Sequence, residues 1–70
     1  MSEQITILIQ RLPESPYWDV HTPGKPLTSS FSLSVASEEA IRFVQQLGGT
    51  ALIVVDDQSL MARKARQVQH

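Results

Sequence analysis

The hydrophobic pattern changes its period twice between Phe31 and Asp57. Phe31, Leu33 and Val35 alternate with Ser30, Ser32 and Ser34. Successive strand side chains point to opposite faces, so this run predicts a half-buried strand with one apolar and one hydroxyl face. Ala40, Phe43, Val44 and Leu47 then keep the i, i+3, i+4, i+7 spacing of a helix, and Ile41 widens the stripe. Ser37 is the predicted N-cap, because its hydroxyl can accept a bond from a free amide of the first turn. Glu38 and Glu39 follow at the positive end of the helix dipole. Ala40 at the third helical position leaves the capping box incomplete. Glu38 and Arg42 are spaced for an exposed i, i+4 pair. Gly48 and Gly49 end the helix, since glycine takes a positive φ without a Cβ penalty. Thr50 to Val55 is almost wholly apolar and β-branched, which predicts an interior strand.

The flanking segments follow similar rules. Gln4 to Leu12 predicts a first strand with Ile5, Ile7 and Ile9 on one face and Gln4, Thr6, Leu8 and Gln10 on the other. Pro13 and Pro16 break it. Tyr17 to His21 predicts a short second strand, with Trp18 and Val20 facing one way and Tyr17, Asp19 and His21 the other. Pro23, Gly24 and Pro26 predict turn chemistry and a mobile loop over 22–29. Beyond Asp57, QSLMARKARQV consists mostly of strong helix formers and predicts a C-terminal helix with Met61, Ala65 and Val68 inside. The alternative is a hairpin, with Asp56 to Ser59 as the turn and Leu60 to Lys64 as a last strand. No glycine supports that turn, which favours the helix.

Composition narrows the function classes. Seventy residues make one domain (1–70) with a thin stability margin. The chain has no cysteine, which excludes disulfides, thiolate nucleophiles and cysteine-ligated zinc. Small domains without such staples often gain stability by association. The net charge of −1 favours neither nucleic acid nor an anionic membrane. The charge is uneven, however. Residues 1–57 hold all seven acids and three bases, whereas the basic C-terminal segment 58–70 holds Arg63, Lys64 and Arg66 and no acid. The N-terminus carries Glu3 where a targeting signal would be basic, and the apolar run from Ile5 to Ile9 is too short for a signal core. Cytoplasmic residence is the default expectation, with no membrane span.

Candidate chemistry is sparse. Leu52-Ile53-Val54-Val55-Asp56-Asp57 resembles the Walker B strand of nucleotide triphosphatases, in which a carboxylate at a strand end handles magnesium. Such a site needs a phosphate loop of the form GxxxxGKS or GxxxxGKT, and the chain has none. With the following QSLMARKARQV, the segment is similar to the opening of a response-regulator receiver domain. There an acidic pair after the first strand binds magnesium and a helix follows directly. Receiver domains also need a later phosphoacceptor aspartate and a lysine on further strands. These have no counterpart here, so the resemblance implies a helix after Asp57 and no activity. Asp19 and His21 would share a strand face with Tyr17, where a carboxylate could orient an imidazole, but no serine sits in a nucleophile elbow. His21 and His70 lack metal-ligand spacing. Pro13-Glu14-Ser15-Pro16 matches PxxP, which a turn between two strands also explains.

The expected architecture is α+β, of order ββ-β-α-β. A small antiparallel sheet of three to four strands carries the Glu38–Leu47 helix on one face and is followed by the C-terminal helix or a final hairpin strand. Ile5, Ile7, Ile9, Phe31, Leu33, Val35 and one face of Thr50–Val55 would form the core, with Trp18 at its edge. One helix cannot cover both faces of so apolar a strand. Leu8 would be left over, together with either Leu52 and Val54 or Ala51, Ile53 and Val55. The expected function is therefore that of a small non-enzymatic binding protein with no cofactor. It would dock on a larger protein as an inhibitor, adaptor or regulator, or form a homodimer, through an interface containing Leu8, Tyr17, Trp18, Leu52 and Val54. The alternative is a nucleic-acid-binding accessory protein that uses Arg63, Lys64 and Arg66.

Overall fold

The computed structural model describes residues 4–22 and 24–69. Five strands and one helix follow in the order β1 (Gln4–Arg11), β2 (Trp18–Thr22), β3 (Lys25–Ser30), α1 (Leu33–Leu47), β4 (Thr50–Asp57) and β5 (Ala62–Gln69). They form one sheet of order β3-β2-β1-β4-β5 with α1 on one face. The α+β class is as expected, but the sheet is mixed where an antiparallel one was expected. β1 pairs in parallel with β4 along its whole length, and the other neighbours are antiparallel. A parallel neighbour needs a crossover of a dozen or more residues, and α1 supplies it between β3 and β4.

Register assigns the two faces. Ile5, Ile7 and Ile9 stand opposite Ala51, Ile53 and Val55, and Ile9 also stands opposite Val20. These residues pack under Ala36, Ala40 and Val44 of α1 to make the core, joined by Trp18. Leu27, Phe43 and Val68 pack against its margin. The opposite face carries Leu8, Leu52 and Val54, and among the described residues no second layer covers it.

Three expectations around α1 are corrected. The helix begins at Leu33, not after Ser37. Ser32, in extended conformation, caps it and accepts a hydrogen bond from the Val35 N–H at 3.5 Å. The expected strand through Phe31, Leu33 and Val35 does not exist, because Leu33, Ala36, Ala40 and Val44 are also spaced i, i+3, i+7, i+11. Phe31, Leu33 and Val35 are consequently exposed instead of forming core. Arg42 pairs with Glu39 at 3.4 Å, not with Glu38. At the other end the Gly48 N–H bonds to the Val44 carbonyl at 2.8 Å, with φ 73° at Gly48.

The expected mobile loop over 22–29 is corrected to β3, which runs from Lys25. Pro26 is tolerated because β3 is an edge strand, where a missing donor costs little, and the β2–β3 pairing shifts register beside it. Pro23 lies outside the described residues.

The expected C-terminal helix is corrected to β5, so Met61, Ala65 and Val68 share no helical face. The hairpin alternative holds in kind: a turn at residues 58–61, not Asp56–Ser59, closes the β4–β5 hairpin without a glycine, and the last strand runs Ala62–Gln69, not Leu60–Lys64. Met61 adopts the left-handed conformation itself, with φ 53°. Asp57 builds the turn: its Oδ1 accepts from the Ser59 N–H at 3.1 Å, and its carbonyl accepts from the Leu60 N–H at 3.2 Å. That is the local side-chain turn that aspartate favours. Among the described residues no helix is long and apolar enough to cross a membrane.

Candidate docking surface

The strand directions bring three connections to one end of the molecule. β1 and β4 finish there and β2 and β5 start there. β3 ends at the same level, and α1 sets out from it. Among the described residues, seven of the eight exposed large apolar side chains lie at this end. Leu12 and Tyr17 come from the β1–β2 connection, Phe31 from the β3–α1 connection, Leu33 and Val35 from the first turn of α1, and Leu60 and Met61 from the hairpin. Leu47, at the far end of α1, is the eighth.

This end is held in place by polar bonds. Asp57 accepts Nε of Arg11 on Oδ1 at 3.0 Å and an Arg11 terminal nitrogen on Oδ2 at 2.6 Å, a two-pronged ion pair between the ends of β1 and β4. The Arg11 guanidinium also lies 4.8 Å from the Trp18 ring centroid, a favourable cation–π distance. The Arg11 hydrogen bonds and charge hold the Asp57 carboxyl below the usual aspartate range. Burial opposes them, and the hydrogen bonds from the hairpin backbone assist. The Gln58 N–H bonds to the Arg11 carbonyl at 2.9 Å, and the Ser59 hydroxyl to the Leu12 carbonyl at 3.3 Å. The rings of Tyr17 and Phe31 meet at 4.6 Å with a 38° tilt.

Two grooves open beside the ion pair. On the helix side, a groove of about 190 Å³ lies between Leu33 of α1 and Ala62 and Lys64 of β5, lined also by Trp18, Val55 and Asp57. On the opposite side, Pro13, Asp56, Gln58, Met61 and Arg63 surround a shallower hollow.

The residues expected at an interface do not share one surface. Leu8, Leu52 and Val54 do share the uncovered sheet face, as their register requires. Val54 is nonetheless only 5% exposed, and Leu8 and Leu52 are half-buried. Trp18 lies on the helix side within the core, 7% exposed. Tyr17 belongs to the apolar end. Arg63, Lys64 and Arg66 alternate along β5, so Arg63 falls on the uncovered face and Lys64 and Arg66 on the helix side. Asp19 and His21 share the uncovered face, and the Asp19 carboxylate accepts from the Ser29 hydroxyl at 2.7 Å, with no bond to His21. No group of three or more potential metal ligands occurs among the described residues; His70 lies outside them.

The residues of this end that sequence reasoning missed are Leu12, Phe31, Leu33, Val35, Leu60 and Met61. An available signal was Ser32, an N-cap residue placed one position before a helical stripe that begins at Leu33. Compared with protein-family models, curated proteins and solved structures, the chain gives no significant match.

Proposed function

We propose that this chain is a small non-enzymatic docking protein. It seats its apolar end on a larger protein and acts there as an inhibitor, adaptor or regulator. The observation that carries this reading is the gathering of Leu12, Tyr17, Phe31, Leu33, Leu60 and Met61 at one end of the sheet. Scattered surface apolar residues need no explanation, but several of them gathered at one end of a sheet favour an interaction site. Three separate connections contribute to the group. The Arg11–Asp57 ion pair and the bonds of the hairpin to β1 already order two of them. A surface ordered before binding loses less conformational entropy on association. Tyr17 and Phe31 supply the aromatic area that anchors protein interfaces.

Phe31→Asp and Leu60→Asp test it. Both side chains are about seven-tenths exposed, so neither change buries a charge in the free protein. Immobilised wild type should retain one stoichiometric protein from its native host, and each folded variant should lose it. Retention of the same protein by both variants, with circular dichroism showing them folded, would overturn the reading. Sedimentation of the wild type at several concentrations shows whether the retained protein is a second copy of the chain.

A further inference from the structure

We propose that the outer edge of β5 receives an acidic, extended segment of a partner protein as a sixth strand of the sheet. This surface is distinct from the apolar end, and the inference goes beyond that reading.

The two edges of the sheet differ. β3 is six residues long, contains Pro26 and pairs with β2 through a register shift. Each of these features blunts an edge. β5 is eight residues long, contains no proline and pairs with β4 in an unbroken register from Ala62 to Gln69. Its other edge has no neighbour among the described residues, so it presents a row of backbone donors and acceptors. An extended peptide can use such a row directly, with main-chain hydrogen bonds giving affinity and alternate side chains giving specificity.

Charge selects the occupant. Arg63, Lys64 and Arg66 are exposed, and none of them makes an ion pair among the described residues. Their alternation places Arg63 on the uncovered face and Lys64 and Arg66 on the helix side. A strand lying in the plane of the sheet also projects side chains to both faces, so acids along it can meet all three cations. A nucleic-acid backbone laid across one face would meet only the cations of that face. A second copy pairing through the same edge would bring three cations from each chain into one seam. Centred on Ala65, that pairing would set Lys64 opposite Arg66 of the other copy, and directly opposed like charges are destabilising.

The test uses the full chain and a fluorescently labelled decapeptide in which adjacent pairs of Glu are separated by pairs of Val or Thr, so that both faces of the strand carry acids. Its controls are the same peptide with two central prolines, a peptide with Lys in place of Glu, and a single-stranded oligonucleotide. The acidic peptide should bind saturably. Proline insertion, Glu-to-Lys exchange in the peptide, and the double variant Lys64→Glu with Arg66→Glu should each weaken binding by about tenfold or more. Backbone amides of β5 should gain protection from hydrogen exchange, and those of β3 should not. Phe31→Asp should leave the peptide affinity unchanged, which separates this inference from the fate of the apolar end. The peptide controls need no protein variant and hold even if the double variant fails to fold. No saturable binding, equal binding of the proline peptide, or stronger binding of the oligonucleotide would overturn the proposal.

Discussion

Ile7→Ala and Phe31→Ala should separate core from surface among residues that the sequence places together. Ile7 is fully buried in the central strand, opposite Ile53 and within the cluster that includes Ala36, Ala40 and Val44. Truncating a buried isoleucine loses its transfer free energy and leaves a cavity, at a cost of about 2–5 kcal/mol. A chain of 70 residues has a total stability of about 4–10 kcal/mol at the usual per-residue value, so the change removes a large share of it. Phe31 is 71% exposed and touches the ring of Tyr17. Removing it should cost no more than an exposed aromatic pair, below about 1 kcal/mol. Urea unfolding followed by Trp18 emission reads both, since Trp18 is the single tryptophan and becomes solvated on unfolding. With a slope of about 1 kcal/mol/M for so small a chain, Ile7→Ala should lower the midpoint by about 2 M or more, and Phe31→Ala by less than about 1 M. Equal shifts for the two variants, with unchanged slopes, would refute the assignment of Phe31 to the surface and with it the apolar end.

Asp57 sets an acid-sensitive contribution. Its carboxyl titrates below the ordinary aspartate range in the folded chain, chiefly through the Arg11 hydrogen bonds. The stabilisation is therefore complete above the ordinary value and is lost as pH falls through the lowered one. Thermal melting across that range should show a fall for the wild type that is flatter in Asp57→Asn; identical pH profiles would contradict it. Gly48→Ala should cost about 1–3 kcal/mol from backbone strain alone, because the added Cβ would meet no atom within 4 Å. Met61→Gly should raise the melting temperature, since glycine relieves the positive φ at the hairpin; a lower melting temperature would show that the left-handed conformation at Met61 is not strained. Leu8→Lys should leave the chain folded, at a cost of about 1 kcal/mol, because a lysine stem can lie along the uncovered sheet face with its head in water. Circular dichroism and sedimentation check this, and global unfolding would show that the face is covered.

The hydrophobic pattern alone determined β1, β2, β4 and most of α1. In each, one period dominates and a proline or glycine marks a boundary. It also placed Ile5, Ile7 and Ile9 on one face, and it exposed the difficulty that one helix cannot cover both sides of Thr50–Val55. Three decisions lay outside it. Phe31 to Val35 fits a period of two as well as the start of a helical stripe, and only the packing of Ala36 and Ala40 on the sheet selects the helix. The segment after Asp57 has strong helix propensity. It becomes a strand because β4 offers it a full edge to pair with and Asp57 folds the turn, and tertiary pairing outweighs differences of a few tenths of a kcal/mol per residue. The apolar end was not legible either. Its residues are separated in the chain, from Leu12 to Met61, and each is unremarkable where it stands. They come to one end of the sheet because β1 and β4 run parallel and finish together, a relation that depends on the crossover through α1 and on no local pattern.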